Sequence, residues 1–395
     1  MKLSCGIFAN IAPLYSKPLW YELASSVNIG YTFYSSGEGY SGIRTIDINE
    51  SKHIDPEAFL DWHFLKNIII KNRIIYQKGI ISKCLRTDHD VYILYGEMHC
   101  ISNWIAAMIC KIRSKPLIFW GHGLYGSENW LKKRIRLLYY KLAACNFVYG
   151  NRARTLLVES GFDPDKVFTV YNSLDFEFHK KIYTSVSKSE LIEIKTSLFK
   201  TRSNLPVIIF IGRLTREKKI SYLLESINLC KLKGNDFNCL IVGEGEESEE
   251  LKNLAESLGI DRSVCFYGSC YDENTNARLI MLSECCVSPG NVGLTAIHCL
   301  SLGTPVITHN NFLTQMPEVE AIIQNKTGSF FEENNVHDLS TVIEDMVLNK
   351  RKFLMEKSCI KEIEDYWNPK KQTAVIDKAV SDLAFNHMKA NEVTE

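Results

Sequence analysis

Residues 285–310, CCVSPGNVGLTAIHCLSLGTPVITHN, decide how the rest of the chain is read. Cys285 to Ser288 is an apolar run of strand length, and Pro289-Gly290-Asn291-Val292-Gly293 is a loop. An amphipathic pattern then runs to about Leu302, Gly303 stops it, and a second strand starts at Pro305. This spacing predicts a βαβ unit. A glycine-rich loop between a strand and a helix start leaves backbone N–H groups unpaired at the positive end of the helix dipole. That is a place for an anion, and a nucleotide diphosphate is the commonest that would use it. A plain strand-to-helix turn has the same appearance, so the neighbouring segments must decide between the two.

Upstream of this unit the alternation repeats. Val207–Ile211, Cys239–Val242 and Val264–Tyr267 read as buried strands, with helices between them through Ile220, Leu223, Leu224 and Ile227 and through Leu251, Leu254, Ala255 and Leu258. Gly212, Gly243 and Gly268 stand directly after strand ends, with Gly245 close by, and that edge of a doubly wound sheet is where ligands bind. Downstream, Gly328–Phe331 is a strand and 336–348 a helix.

The first half alternates as well, with strands expected at Leu3–Phe8, Val91–Leu94, Pro116–Trp120, Phe147–Tyr149 and Lys166–Val170. Helices are expected at 17–26, 56–86, 102–113, 128–143 and 152–160. The fold class is therefore α/β with parallel sheets and crossover helices. Residues 176–204 are polar with no clear strand and are taken as a linker. The expected domains are 1–175 and 205–369, with a last helix beyond the second sheet.

Composition narrows the function classes. The chain has 395 residues, enough for two cores, and its net charge of zero argues against a dedicated nucleic-acid binder. Its 13 cysteines are scattered through apolar runs with no C-x-x-C, which points to buried thiols in a reducing cytoplasm and to no zinc or redox site. No metal site is expected. No run reaches the roughly 18 apolar residues of a membrane span, so a soluble protein or one peripheral on the inner face of the membrane is expected.

Three features could carry chemistry. Arg213 follows the strand end by two residues and Lys218 opens the next helix, so both cations can point over the same edge and clamp a diphosphate leaving group. Ordinary surface basicity is the competing reading, because Arg216 and Lys219 lie alongside. His122, in FWGHGLYG, follows a strand between two glycines, where a neutral imidazole could hydrogen-bond a sugar hydroxyl. The segments 64–86 and 128–143 combine basic and apolar residues. They read either as crossover helices with solvated lysines or as amphipathic helices lying on anionic lipid.

Taken together, IFIGRLTREKKISYLLES, LIVGEGEESEELKNLAESLG, VCFYGSC and VSPGNVGLTAIHCLSLGTPVI resemble the donor-binding half of family-four retaining glycosyltransferases, of the glycosyl transferases group 1 and the GT-B fold. FWGHG and YGNRARTLLVESGFDPDKVFTVYNSLD are similar more loosely to the family's first domain. The resemblance implies two Rossmann-like domains facing a cleft, the donor in the second and the acceptor in the first, with the terminal helix, 370–395, packing back on the first. It implies that Arg213 and Lys218 clamp the diphosphate and that His122 lies near the transferred sugar. Gly212, Gly243, Gly245, Gly268, Gly290, Asn291, Gly293, Leu294, Thr295 and His298 would line the donor. In the family two glutamates stand where this chain has Gly290 and His298, and Glu318 or Glu320 are the candidates to replace them.

The leading expectation is a metal-independent, retaining hexosyltransferase without cofactor. It would use a nucleotide diphosphate sugar as donor and a glycan or lipid-linked intermediate of surface polysaccharide as acceptor. The alternatives are a catalytically degenerate pseudo-glycosyltransferase that binds nucleotide sugar or glycan as a scaffold, and a nucleotide-sugar 2-epimerase. For the last, Gly290 leaves the sugar without a carboxylate.

Overall fold

The computed structural model describes residues 2–38, 43–46, 60–70 and 73–392. The chain divides into two compact units, residues 1–174 with 369–395, and residues 175–368. No described helix is long and apolar enough to cross a membrane.

The first unit is built on seven parallel strands in the order β3-β2-β1-β6-β7-β8-β9: β1 (Leu3–Ile11), β2 (Ile29–Ser36), β3 (Trp62–Phe64), β6 (Val91–Tyr95), β7 (Leu117–Gly121), β8 (Cys145–Val148) and β9 (Val167–Thr169). Side chains alternate across a strand, and the core follows that period. Ile7, Val91, Ile93, Ile118, Trp120 and Phe147 enter one cluster, while Phe8, Tyr92, Leu94, Phe119 and Val148 enter the other.

Helix α1 (Lys17–Ala24) and the C-terminal helix Pro369–Glu392 close the first cluster, through Trp20 and Leu23 and through Ile376, Ala379 and Val380. Asp377 ties the C-terminal helix to the sheet by accepting from Ser26 Oγ at 2.7 Å and Tyr31 Oη at 2.6 Å. On the second cluster lie α2 (Ile80–Arg86), α3 (Ile101–Ile112), α4 (Trp130–Tyr140) and α5 (Asn151–Glu159).

The long helix expected over 56–86 does not form. Residues 56–59, 71 and 72 of that stretch lie outside the described residues. The rest is strand β3, an antiparallel hairpin of β4 (Lys66–Ile70) and β5 (Ile74–Lys78), and the short α2. Ile68-Ile69-Ile70 and Ile74-Ile75 are β-branched runs that are stiff in a helix and fit a pleated ladder. Strand β2 was not expected from sequence; its aromatic run pairs along β1 from Leu3↔Ile29 to Ile11↔Ser36.

The second unit carries six parallel strands in the order β12-β11-β10-β13-β14-β15: β10 (Val207–Ile211), β11 (Asn238–Val242), β12 (Val264–Gly268), β13 (Cys285–Ser288), β14 (Val306–His309) and β15 (Gly328–Phe331). That is the doubly wound Rossmann order, whose strand order reverses between β10 and β13. Residues 176–204, expected as a linker, form α6 (Phe176–Ser185) and α7 (Lys188–Phe199) within this unit. The sheet is flanked by α8 (Ile220–Leu232), α9 (Ser248–Ser257), α10 (Glu273–Met281), α11 (Thr295–Ser301), α12 (Val336–Leu348) and α13 (Arg351–Asp365).

Candidate active site

The reversal point of the second sheet gathers the loops that the sequence singles out. Strands β10 and β13 are direct neighbours, Ile208 opposite Cys285, so the loop of Gly212 and Arg213 and the loop 289–293 leave the sheet side by side. The strand-end loops are sewn together by backbone. Gly212 N–H donates to Val242 O at 2.9 Å, Leu214 N–H to Glu244 O at 3.0 Å, and Gly243 N–H to Gly268 O at 2.8 Å. A Cβ on Gly243 would lie 1.8 Å from Gly212 O, and one on Gly245 2.2 Å from Leu214 O. These two glycines serve loop-on-loop approach, which is a structural requirement whatever ligand they flank.

The 3-10 turn Arg216–Lys218 is joined to the opening loop in the same way. Gly290 N–H donates to Lys218 O at 2.9 Å, and a Cβ on Gly290 would sit 1.9 Å from Glu217 O. No side chain fits at 290, so a carboxylate there is excluded by the backbone itself. The Lys218 ammonium donates to both Asn291 O and Asn291 Oδ1 at 2.8 Å. Burial pulls its pKa below the usual lysine range, against the neighbouring Glu217. An ammonium has three N–H donors, so one is left for a ligand.

Arg213 is exposed and near enough to act on this cation electrostatically. Thr295 Oγ1 donates to Ile211 O at 3.2 Å and Val292 N–H to Gln315 Oε1 at 2.8 Å, fixing the loop at both ends. The backbone N–H groups of Gly293, Leu294 and Thr295 precede the first helical hydrogen bonds and have no described partner.

His298 is engaged elsewhere. Its Nε2 lies 2.5 Å from Glu273 Oε1, the first residue of α10, and its ring centre 5.0 Å from that of His179 on α6. Neither Glu273 nor His179 was singled out from sequence, because their helices are far apart in the chain. Glu318, a sequence candidate, is buried in the 3-10 turn Pro317–Ala321, which also holds Glu320.

In the first unit His122 directly follows β7 and borders a cavity of about 250 Å³ with Tyr95, Glu97, His99, Arg136 and Tyr149. The loop after β7 is held by two side chains. Glu128 accepts from Tyr125 N–H at 2.9 Å and Gly126 N–H at 2.8 Å, and Arg136 donates to Gly123 O at 3.0 Å. Arg136 is therefore buried and leaves the basic surface to which the sequence assigned it. A Cβ on Gly121 would lie 2.8 Å from Tyr140 Oη, so glycine is needed beside the histidine.

His122 Nδ1 is buried without a hydrogen-bond partner among the described residues, and burial lowers the pKa of the ring, which stays neutral near pH 7. Glu97, bonded to His99 Nε2 at 2.8 Å, faces the same cavity and was missed. It follows the end of β6, so the strand-end rule that selects His122 also selects it.

Comparison with known proteins bears on family likeness and fold. Residues 194–365 match the model of the Glycosyl transferases group 1 family. An uncharacterized glycosyltransferase of Haemophilus influenzae is 27% identical over 199 residues, 49% of this chain and 54% of that protein, so the match spans about half of the relative's length. One from Methanocaldococcus jannaschii is 25% identical over 287 residues, 68% of each chain.

Among solved structures, Anabaena HepE in complex with UDP superposes with a TM-score of 0.72 at 14% identity, over 97% of this chain and 100% of that one. A glycosyltransferase of Rickettsia africae does so with a TM-score of 0.72 at 19% identity, over 97% and 98%. Residues 194–365 are thus similar to the glycosyl transferases group 1 family, and the two Rossmann-like units have the build of the GT-B fold.

Proposed function

We propose that this chain moves a glycosyl group from a nucleotide diphosphate sugar to an acceptor hydroxyl, with retention at the anomeric carbon and with protein cations in place of a metal ion at the diphosphate. The observation that carries the reading is Lys218, held by Asn291 against the loop 289–293 at the reversal point of the sheet, with Arg213 beside it.

In the reaction the bond from the anomeric carbon to the diphosphate oxygen breaks, and its electron pair stays on the diphosphate. Arg213, Lys218 and the N–H groups at Gly293–Thr295 take up that charge. The acceptor oxygen bonds to the anomeric carbon on the same face, and its proton passes to the departing phosphate oxygen. His122, neutral in its own cavity, is suited to hold a sugar hydroxyl.

A lipid-linked acceptor is supported by the surface of the first unit. On α4, Trp130 and Leu138 are 68% and 63% exposed, with Lys132, Lys133 and Arg134 on the same short helix. Hairpin β4–β5 exposes Ile68, Ile69 and Ile70 next to Lys66. Such surfaces fit anionic lipid and support a position on the inner face of a membrane.

The test is a panel of nucleotide sugars, headed by UDP-glucose because Anabaena HepE is solved with it, scored by protection against heat and by the anomeric configuration of the product. Arg213→Ala and Lys218→Ala should each lower turnover at least 100-fold. Near-normal turnover in both, or an inverted product, sinks the reading. Protection without any turnover would instead support a nucleotide-sugar-binding scaffold, which Gly290 and His298 at the two glutamate positions favour.

A further inference from the structure

Helices α6, α10 and α11 bring His179, Glu273 and His298 together inside the second unit, with one nitrogen or oxygen of each lying within 4.8 Å of the others. Both imidazoles converge on a single carboxylate oxygen: Glu273 Oε1 is 2.9 Å from His179 Nε2 and 2.5 Å from His298 Nε2.

Both ring nitrogens of His179 are engaged, Nε2 by Glu273 and Nδ1 by Ser301. Ser301 Oγ lies 2.7 Å from His298 O, to which it can donate, and 2.8 Å from His179 Nδ1, where either group can be the donor. With its proton on Nδ1, His179 would offer the Nε2 lone pair to a cation beside Glu273 Oε1, which lies 2.9 Å away. His298 Nε2 is a buried atom without a hydrogen-bond partner, because the nearby oxygen lies off the line of an N–H. Two nitrogens and an oxygen thus share a focus that a cation would satisfy.

We propose that His179, Glu273 and His298 form a binding site for a single divalent transition-metal ion such as Zn²⁺. Two imidazoles and a carboxylate suit zinc and its neighbours; an ion bound mainly by nitrogen is not Mg²⁺ or Ca²⁺. On a tetrahedral ion with bonds of about 2.0–2.1 Å, two imidazole ring centres stand roughly 5 Å apart. Here they are 5.0 Å apart, with planes 19° from parallel.

The O–N separations are shorter than the roughly 3.3 Å edge of such a tetrahedron. A small outward turn of Glu273, whose side chain is 39% exposed, would open them. Ser301 is the outer partner that orients a ligating histidine. Water would complete the coordination beside the part-exposed Glu273. The ion would pin α6 and α10 to α11, the helix that follows the loop 289–293.

The test uses the full chain, stripped with chelator and titrated with Zn²⁺ in competition with a chromophoric chelator, and separately with Co²⁺. The wild type should take up one equivalent. Glu273→Gln and His298→Asn should each weaken binding at least 10-fold, and Ser301→Ala by about 10-fold. Co²⁺ should show four-coordinate visible bands without a thiolate charge-transfer band, which separates this site from the cysteines. Glu273→Gln should melt like the wild type in chelator, so its loss of metal is not a loss of fold. No bound ion in the wild type, unchanged affinity in Glu273→Gln and His298→Asn, or a thiolate band overturns the proposal. None of these readouts needs a sugar donor, so they stand apart from any failure of the transferase reading.

Discussion

Gly290 shows how much a single residue can decide. Its Cα packs on the turn that presents Lys218, and the space for a side chain is already filled by Glu217 O. Gly290→Glu, which would restore the glutamate implied by the resemblance, is therefore expected to break the turn rather than recover a sugar contact. It should cost about 3 kcal/mol or more of stability and abolish protection by nucleotide sugars. A urea midpoint unchanged from wild type would show that the turn can move aside. Gly243→Ala, with backbone in the same way, should be destabilising for the same reason. Asn291→Ala is a milder probe: it removes one of the two acceptors of Lys218, leaves the fold intact, and should weaken donor binding. Isothermal titration would register that change.

Among the elements, the C-terminal helix and α4 can be tested independently. Asp377 accepts two hydroxyl hydrogen bonds that fasten the C-terminal helix to the first sheet. Hydrogen bonds to a charged group contribute about 1.5–3 kcal/mol. Asp377→Ala should lower stability by at least that order, read as a shift in the denaturant midpoint, and Tyr31→Phe by less. Helix α4 has one buried edge, Arg136, Tyr139 and Tyr140, and an outward face that is apolar and basic. Trp130→Ser with Leu138→Ser should weaken co-sedimentation with anionic vesicles while leaving donor binding untouched. Binding that ignores both the substitutions and added salt would argue against a lipid face.

On the scale of the molecule, buried titratable groups set the pH range of stability. Burial lowers the pKa of His89, His122, His179 and His309. The unfolded chain then binds protons first as the pH falls through about 6.5, so stability is lost on the acid side. Burial raises buried thiols, Cys145 to about 11 and Cys230 and Cys359 to about 12. Unfolded thiols ionise near pH 8.5, so their contribution is present below that value and lost as the pH rises above it. The melting temperature in chelator should be highest between about pH 6.5 and 8.5 and fall on both sides. A profile level from pH 5 to 10 contradicts this assignment.

Strand and helix periods are local, and the second unit was largely legible for that reason: Val207–Ile211, Cys285–Ser288, Gly328–Phe331 and Val336–Leu348 stand where the apolar patterns put them. Strand-end position is local too, so Lys218, Asn291, the glycines and His122 could be picked out before any coordinates. The stretch 56–86 misled because a basic, isoleucine-rich run satisfies a helical pattern as well as a hairpin, and only pairing with a neighbour separates them. Contacts between segments distant in the chain were decided by tertiary structure alone. Packing on Glu217 O explains why residue 290 carries no side chain, and the loop after β7 turns Arg136 inward. His179, Glu273 and His298 meet because three helices converge after chain separations that no sequence period records.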